Sequence, residues 1–362
     1  MKGRQKKLLM FFRHTMLWLN IAVAAVCLLA AYQGYMRPSS CGIIAVFGLA
    51  FPIMLLLTIG FLLFWLAVCR KMMLVSAVAL VLTIPQQWTL CPLNFDDDDE
   101  VADIRLMSYN IYGAHRSDSD FSQVDEIIHS NADVVCLQES PASIKAFAYN
   151  QGQEKTDSLC GMYPYSVFDE KITLAVLSKY PVELIEKFED NKYFCYAVYS
   201  IMIDDRQLLV FNMHLESIGL TGHDKELYMN LTSPSTNDRS LRGVRSQLIG
   251  KLTKAFKNRE LQADTIAERI AALRVKYPKA SVVVCGDFND TPYSYSYLTI
   301  KGALNDAYSD GGFGPVITYN RNRFYFHIDH IFSDDAMEAV RCFCGTTRAS
   351  DHYALIADFK FR

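Results

Sequence analysis

Three long apolar segments occupy the first quarter of the chain, and this feature restricts its fold more than any other. They cover about residues 16–35, 43–68 and 72–93, and each is long enough to cross about 30 Å of hydrocarbon as a helix. A cleaved signal peptide would instead have one short apolar core followed by polar chain. The sequence therefore predicts three transmembrane helices within residues 1–93.

Basic residues flank these segments unequally. Five Lys or Arg residues precede the first segment, Arg70 and Lys71 separate the second from the third, and the first loop has only Arg37. The positive-inside rule places the amino terminus and the second loop in the cytoplasm. After three crossings the rest of the chain lies on the outer side. We expect an integral membrane protein with a periplasmic domain, and three spans with an outer domain suggest a bacterial inner membrane.

A run of acidic residues follows the apolar region. Residues 96–100 read Asp-Asp-Asp-Asp-Glu, which is typical of a solvated segment, so we expect a linker at 94–102 and one domain at 103–362. Residues 101–362 carry 28 Lys and Arg against 34 Asp and Glu, a net charge of −6. Non-specific binding of nucleic acid requires clustered cations. The charge disfavours a nucleic-acid partner, although a local basic groove would still allow one.

Short apolar strands alternate with helical stretches after this linker. We predict strands at 104–110, 133–138, 173–178, 196–203, 208–214, 281–285, 327–332 and 353–359, with helices at 121–130 and 242–277. Strands outnumber helices, and several adjoin as hairpins. A mixed α/β architecture with helices covering packed sheets therefore fits better than a purely parallel sheet.

Polar side chains recur where these apolar strands end. Asn110, Glu139, His214 and Asp287 each stand at or directly after the end of a strand. Strand ends at one sheet edge form a rigid platform for a site. Taken singly, each residue could be a cap, a turn or a satisfied core residue. Their joint occurrence favours a metal-binding or phosphate-binding site.

The order of several short motifs resembles the endonuclease/exonuclease/phosphatase superfamily, which includes DNase I-like nucleases. The resemblance covers about residues 103–362. The motifs that carry it are Ser108-Tyr109-Asn110-Ile111, Leu137-Gln138-Glu139, Leu174 to Pro181, Asn212-Met213-His214-Leu215, Gly286 to Pro292, Ile328-Asp329-His330-Ile331 and Ser350-Asp351-His352-Tyr353. It implies a four-layer αββα sandwich.

The resemblance also implies roles for individual residues. The implied metal-site residues are Asn110, Glu139 and Asp351. The implied catalytic residues are His214, Asp287, Asn289, Asp329 and His352. Mg²⁺ is the expected ion, with Mn²⁺ or Ca²⁺ as alternatives. The implied reaction is in-line attack of water on phosphorus without a covalent intermediate. Which group takes the proton of the water stays open.

Two positions depart from the family pattern, and one basic stretch bears on the substrate. His327 stands where many relatives have Arg, and Thr173 stands where Gly is common. Between Leu215 and Gly286, a predicted helix carries a cluster of cations. A covering helix with a solvated basic face is the simpler interpretation of this cluster. The alternative hypothesis is that Arg242 and Arg245 bind an anionic substrate or lipid headgroups.

Three functions agree with these features. The first is a membrane-anchored phosphoesterase acting on a lipid-linked or small extracytoplasmic phosphoester. The second is an outward-facing DNA or RNA endonuclease, which the net charge of −6 disfavours. The third is a non-catalytic module for interaction at the membrane, which the intact set of polar residues disfavours. The sequence indicates a phosphoester substrate and the lipid bilayer as partners, and it identifies no protein partner.

Overall fold

The computed structural model describes residues 2–95, 101–114, 121–143, 146–147, 152–169, 171–190, 194–219, 238–321 and 325–362, with the backbone alone at 2–3 and 238–245. The acidic run at 96–100 lies outside these residues, so the expected linker at 94–102 stays a prediction.

The N-terminal region consists of helices. Their bounds are α1 (Lys2–Tyr32), α2 (Pro38–Gly48), α3 (Phe51–Val68), α4 (Leu74–Leu82) and α5 (Ile84–Leu90), with 3₁₀ turns at Gln33–Tyr35 and Arg70–Met73. Within the described chain, the helices Arg4–Tyr35 and Phe51–Val68 are long and apolar enough to cross a membrane. The pair α4 and α5 is bent by 60°, as a broken span or a re-entrant loop would be.

The three expected spans are supported in part: two helices are long enough to span, and the bent pair makes a third if it forms one span. The predicted span at 43–68 is divided, and its spanning helix begins only at Phe51. The predicted span at 72–93 is broken between α4 and α5. Pro52 and Pro85 each lie in the first turn of the helix that follows a break. Proline lacks an N–H and clashes with the preceding turn, so it starts a helix more readily than it continues one.

The remaining chain forms two six-stranded sheets. The strands are β1 (Ile104–Asn110), β2 (Val134–Gln138), β3 (Tyr165–Phe168), β4 (Leu174–Ser178), β5 (Val182–Asp190), β6 (Phe194–Ile203), β7 (Arg206–His214), β8 (Ser281–Asp287), β9 (Asn305–Asp306), β10 (Asp329–Ser333), β11 (Met337–Cys344) and β12 (Leu355–Phe361). The first sheet has the order β11-β12-β1-β2-β4-β3, and the second has the order β5-β6-β7-β8-β10-β9. All eight predicted strands are confirmed, with ends that differ by at most two residues.

Helices cover the outer face of each sheet. They are α6 (Gln123–Ser130), α7 (Gln153–Met162), α8 (Asp238–Lys276), α9 (Tyr295–Lys301) and α10 (Ala307–Gly311). Buried side chains of both sheets form one apolar cluster between them. A second cluster joins α8 and α9 to the second sheet, and a third joins α6 and α7 to the first. These layers agree with the expected α/β sandwich of two sheets between helices.

Strand register brings three strand ends together in the second sheet. β8 pairs with β7 in parallel, which places His214 opposite Asp287. β8 also pairs with β10 in antiparallel fashion, which places Asp329 opposite Asp287 from the other side. In the first sheet, β1 and β2 are parallel and Asn110 lies opposite Gln138.

The N-terminal helices are packed against α8 and the turn before α9 through the segment between α1 and α3 and the start of α3. The Gln33 side chain donates through Nε2 to the Tyr293 carbonyl at 3.1 Å. Arg37 lies 2.9 Å from Glu260 and 3.0 Å from Asp264 of α8. The Tyr293 ring packs edge-on against Phe51, with centroids 5.0 Å apart. The N-terminal region is therefore docked on the α/β domain by direct contacts.

Candidate active site

The strand β8 places Asp287 at the centre of the site. The preceding residues from Val282 to Cys285 are fully buried, so the strand is fixed in the core up to its last residue. Gly286 has φ +144°, and a Cβ there would lie 2.0 Å from the Met213 carbonyl oxygen. Only glycine allows β7 to approach this closely. Asp287 is thus held next to the end of β7.

Four side chains or backbone groups surround the Asp287 carboxylate. Its Oδ2 accepts from Asn110 Nδ2 at 3.0 Å, and it lies 3.6 Å from Nε2 of both His214 and His352. Its Oδ1 accepts from the Asn289 backbone N–H at 2.8 Å. Burial raises the pKa of Asp287 above its usual range, and the neighbouring His352 opposes this increase.

Asp329 and His352 form a hydrogen-bonded pair beside Asp287. His352 Nδ1 lies 2.8 Å from Asp329 Oδ2. Burial lowers the pKa of His352, but the charges of Asp329 and Asp287 outweigh burial and raise it to about 10. The ring is therefore an imidazolium at neutral pH, and its Nε2 points toward the Asp287 carboxylate.

Glu139 follows β2 and brings a second carboxylate to the same place. Its Oε1 lies 3.2 Å from Asn110 Nδ2 and 3.9 Å from His214 Nε2. Its side chain is 36% exposed, unlike the buried Asp287. Glu139 and Asn289 both have φ +50°, a conformation that is uncommon without glycine and is often found at functional sites.

Asp351 is joined to this group through its neighbour Ser350. The Ser350 hydroxyl donates to the Asn110 carbonyl at 2.7 Å. Asp351 Oδ2 lies 3.6 Å from Nη1 of Arg321, and the Arg321 guanidinium lies 4.9 Å from the centre of the Tyr112 ring. Arg321 and Tyr112 thus form a rim that the sequence analysis missed. In the sequence, the signal for this rim is the position of Arg321 itself, a basic residue in the loop before Asp329.

A polar network below the site connects the two sheets. Gln138 Nε2 lies 2.7 Å from Asn212 Oδ1, and Asn212 Nδ2 donates to the Leu137 carbonyl at 3.0 Å. Both side chains are fully buried. Such a network fixes the spacing between the strand ends. Gln138 and Asn212 belong to the motifs named above and stand at strand ends, where polar residues are expected to bind metal or phosphate.

Two groups of side chains are candidates for a metal site: one cluster in the structure, and Glu139 with Asp351, which the resemblance implies. Asp287, Asp329 and His352 each place one ligand atom within 4.8 Å of the others. However, His352 already occupies the space between the two carboxylates as a cation, and both of its ring nitrogens face them. Glu139 and Asp351 are less closely paired: among the described residues, the nearest basic groups lie 3.9 Å from Glu139 and 3.6 Å from Asp351.

The donor chemistry of this second group fits a hard divalent cation. Carboxylate oxygens are the ligands that Mg²⁺ prefers, and it keeps several waters. The Asn110 side chain is oriented differently from the expectation, because its oxygen accepts from the Tyr112 N–H at 3.1 Å. Its amide nitrogen faces Glu139 and Asp287. A role as metal ligand would require the opposite orientation of this amide.

Other predicted contributors lie elsewhere or outside the described atoms. His327, the departure from the family pattern, is buried, and burial lowers its pKa well below the usual value. A neutral buried ring cannot replace an arginine at the site. The side chains of Arg242 and Arg245 lie outside the described residues, although their backbone belongs to α8. Their expected contact with substrate stays a prediction.

Comparison with known proteins gives two family matches. Residues 13–90 match a family described as a domain of unknown function (DUF8431). A search of curated proteins found no match.

Three similar solved structures have TM-scores below 0.5. Truncated TDP2 of Caenorhabditis elegans is 16% identical, with a TM-score of 0.48 and coverage of 72% of this chain and 97% of that chain. The human Nocturnin catalytic domain is 18% identical, with a TM-score of 0.46 and coverage of 72% and 94%. An endonuclease/exonuclease/phosphatase family protein from Bacteroides thetaiotaomicron is 15% identical, with a TM-score of 0.45 and coverage of 72% and 98%.

The second family match covers most of the α/β domain. Residues 107–352 match the model of the endonuclease/exonuclease/phosphatase family, and this range includes every catalytic and metal-site residue predicted above. The chain therefore belongs to the endonuclease/exonuclease/phosphatase family.

Proposed function

We propose that this protein is a membrane-anchored, divalent-metal-dependent phosphoesterase that hydrolyses a P–O bond by attack of water. The observation that carries the proposal is the position of Asp287 Oδ2, which lies 3.6 Å from two imidazole nitrogens. A carboxylate between two such rings can orient a water molecule while the rings bind phosphoryl oxygens. The neighbouring Glu139 supplies an oxygen ligand for a cation.

The residues divide into three roles. Asp287 orients the attacking water and accepts its proton, and its raised pKa makes it a stronger base than an exposed aspartate. The His352 imidazolium, held by Asp329, and the ring of His214 stabilise charge on the phosphoryl oxygens. When bound, Mg²⁺ would stabilise negative charge on the phosphate and on the leaving oxygen. Glu139 and Asp351 would hold it.

The substrate we propose is a phosphoester carried by a membrane lipid or found close to the membrane surface. Tyr293 lies four residues after Asn289 and packs against the N-terminal helices. The active-site turn is therefore held beside the proposed anchor. The net charge of −6 over residues 101–362 does not favour a polyanionic duplex.

A second candidate is an endonuclease, with the catalytic domain on the outer side. The pair formed by Arg321 and Tyr112 at the rim favours it, because aromatic rings with cations form platforms for unstacked bases. The third alternative, a binding module without catalysis, is disfavoured by the assembled Asp287, His214 and His352.

One substrate panel tests these alternatives. The purified full chain is assayed with Mg²⁺, Mn²⁺ or Ca²⁺ against bis-p-nitrophenyl phosphate, sphingomyelin, phosphoinositides, duplex DNA and RNA. We expect metal-dependent hydrolysis of the soluble diester and a preference for a lipid substrate. Asp287→Ala and His352→Ala should each abolish turnover. Full activity in both variants would contradict the site, and a preference for DNA or RNA would support the second candidate.

A further inference from the structure

A separate cavity lies at the edge of the first sheet. It has a volume of about 480 Å³ and is lined by Arg105 of β1, by residues 341–344 of β11 and by the segment at 308–316. Arg105 lies near the start of β1, whereas Asn110 of the candidate active site ends that strand. The cavity and the active site therefore lie toward opposite ends of β1.

The cavity carries a positive charge. Its ten lining residues in the described chain include Arg105 and Arg341 but no carboxylate. Both guanidiniums pair with one acid behind the lining, Asp358, at 2.6 Å from Arg105 and 3.2 Å from Arg341. Asp133, whose charge also acts on Arg105, is itself paired with Lys179, so the two cations and Asp358 leave a net charge of +1.

The Phe343 ring holds the two guanidiniums in place. The Cζ atoms of Arg105 and Arg341 lie 5.7 Å and 5.3 Å from its centre. The Arg341 side chain is 44% exposed. It uses Nε and Nη2 on Asp358, and within the described residues its Nη1 has no hydrogen-bond acceptor. A preorganised donor therefore remains for a ligand.

The other wall of the cavity is bonded to the chain that leaves the N-terminal helices. Gly314 donates its N–H to the Pro92 carbonyl at 2.7 Å. The Asn94 side chain and the Trp88 indole each donate to the Ser309 carbonyl at 2.9 Å. The cavity therefore lies where the proposed membrane anchor joins the domain.

Exposed apolar side chains lie on this side of the cavity. Phe313 is 58% exposed and Phe95 is 83% exposed, with ring centroids 5.3 Å apart. Leu93, which is bridged to Phe313, is also exposed. Aromatic and aliphatic side chains next to a spanning segment are typical of the membrane–water interface. They would contact the glycerol and acyl region of a lipid.

We propose that this cavity binds the phosphate of an anionic phospholipid from the surrounding bilayer, at a site separate from the catalytic one. Arg341 donates to the phosphate oxygens, Arg105 adds charge, and the apolar side chains contact the lipid below its headgroup. The inference rests on membrane anchoring, which is part of the proposed function, and it is independent of the hydrolytic chemistry.

The test compares the thermal stability of the full chain in detergent with added lipid. A ligand that binds the folded state raises Tm. Phosphatidylglycerol should raise Tm of the wild-type protein by about 1–2 °C more than phosphatidylcholine does. Arg341→Gln should remove this difference, and Arg341→Lys, which keeps the charge, should retain part of it.

Arg206→Gln is the matched control, because Arg206 also lies over an aromatic ring, that of Phe361, but outside the cavity lining. It should keep the full difference. The proposal would be overturned if Arg341→Gln kept the full Tm difference between the two lipids. It would also be overturned if inorganic phosphate raised Tm as much as phosphatidylglycerol does. Hydrolysis of bis-p-nitrophenyl phosphate, measured in parallel, should be unchanged in Arg341→Gln. The Tm measurement thus tests lipid binding, and the hydrolysis assay separately tests the catalytic proposal.

Discussion

The charge of His352 depends on neighbouring carboxylates, of which Asp329 makes the direct hydrogen bond. Burial lowers the pKa of His352, but Asp329 and Asp287 raise it to about 10, so the ring is protonated at neutral pH and loses its proton as pH rises through about 10. In Asp329→Asn the pKa of His352 falls. The alkaline limb of kcat/KM should then move to lower pH, and activity at pH 8 should drop about 100-fold.

The pH profile for this prediction is measured with a soluble diester. Asp204→Asn serves as the control, since Asp204 lies in the exposed turn between β6 and β7 and its variant should keep the wild-type profile. An alkaline limb that stays in place in Asp329→Asn would show that catalysis does not require the imidazolium.

Glu139 permits a second prediction about single residues. Because its carboxylate is partly exposed and faces an amide and an imidazole rather than a guanidinium, it is the side chain most available to a cation. Glu139→Gln should raise the Mg²⁺ concentration for half-maximal activity by about 10-fold to 100-fold. Metal titration of activity measures this change. Glu183→Gln, on the exposed part of β5, should leave the titration unchanged.

The residues of the site differ in how well the sequence predicts them. Asn110, His214 and Asp287 end buried parallel strands, and parallel strands bring their carboxyl ends to one edge. The meeting of His214 and Asp287 therefore follows from strand prediction, whereas Asn110 reaches them from the other sheet. Arg321 and Tyr112 lie in loops, where conformation depends on tertiary contacts that no periodicity records. Their pairing could not be predicted.

Among the elements, the strands that the sequence revealed are the interior ones. The four that it missed, β3, β5, β9 and β11, are the outermost strands of the two sheets. An interior strand is buried on both faces and reads as a continuous apolar run. An edge strand such as β5 is largely exposed and includes five charged residues in Val182–Asp190, as edges that avoid aggregation do.

Helix breaks in the N-terminal region are likewise not predicted by the sequence pattern. Hydropathy gives the length of an apolar segment, but not the point at which packing requires a turn. The segment at 72–93 bends by 60° before α5, which then contacts the catalytic domain through Trp88. Pro85 lowers the energetic cost of the bend because it lacks an N–H that a continuous helix would require. The hydrogen bond from Trp88 to the Ser309 carbonyl then sets the orientation of α5.

The contact between the N-terminal helices and the active-site turn leads to a prediction for a glycine. A Cβ on Gly34 would lie 2.3 Å from the Tyr293 carbonyl oxygen and 2.8 Å from the Ser294 carbonyl carbon, so Gly34→Ala must displace the turn that follows Asn289. We expect kcat to fall about tenfold with little change in KM, since overpacking shifts backbone by small amounts.

Gly60→Ala is the matched control for this glycine. Gly60 also lies in the N-terminal helices, but no atom stands within 4 Å of the position its Cβ would take. Steady-state kinetics should therefore match those of the wild-type protein. If Gly34→Ala kept the wild-type kcat while folding normally, the N-terminal helices would be a tether without influence on the catalytic turn.

In the whole molecule, the contacts with the catalytic domain and the basic residues of the amino terminus lie at opposite ends of the N-terminal helices. The groups that contact the catalytic domain, including Gln33, Arg37 and Trp88, lie near one end. At the other end, Arg13 bonds the carbonyl of Val68 at 3.2 Å, close to Arg70 and the basic amino terminus. This separation supports a cytoplasmic basic end and an outer catalytic domain.

Cysteine labelling tests that orientation. Cys160 is exposed on α7 in the catalytic domain, and Cys69 lies at the basic end of α3. In intact cells that express single-cysteine variants, a membrane-impermeant maleimide should label Cys160 at once and Cys69 only after permeabilisation. The reverse pattern would place the catalytic domain in the cytoplasm. The hydrolytic site would remain as described, but its lipid substrate would then have to come from the inner leaflet, because the docked domain cannot reach across the bilayer.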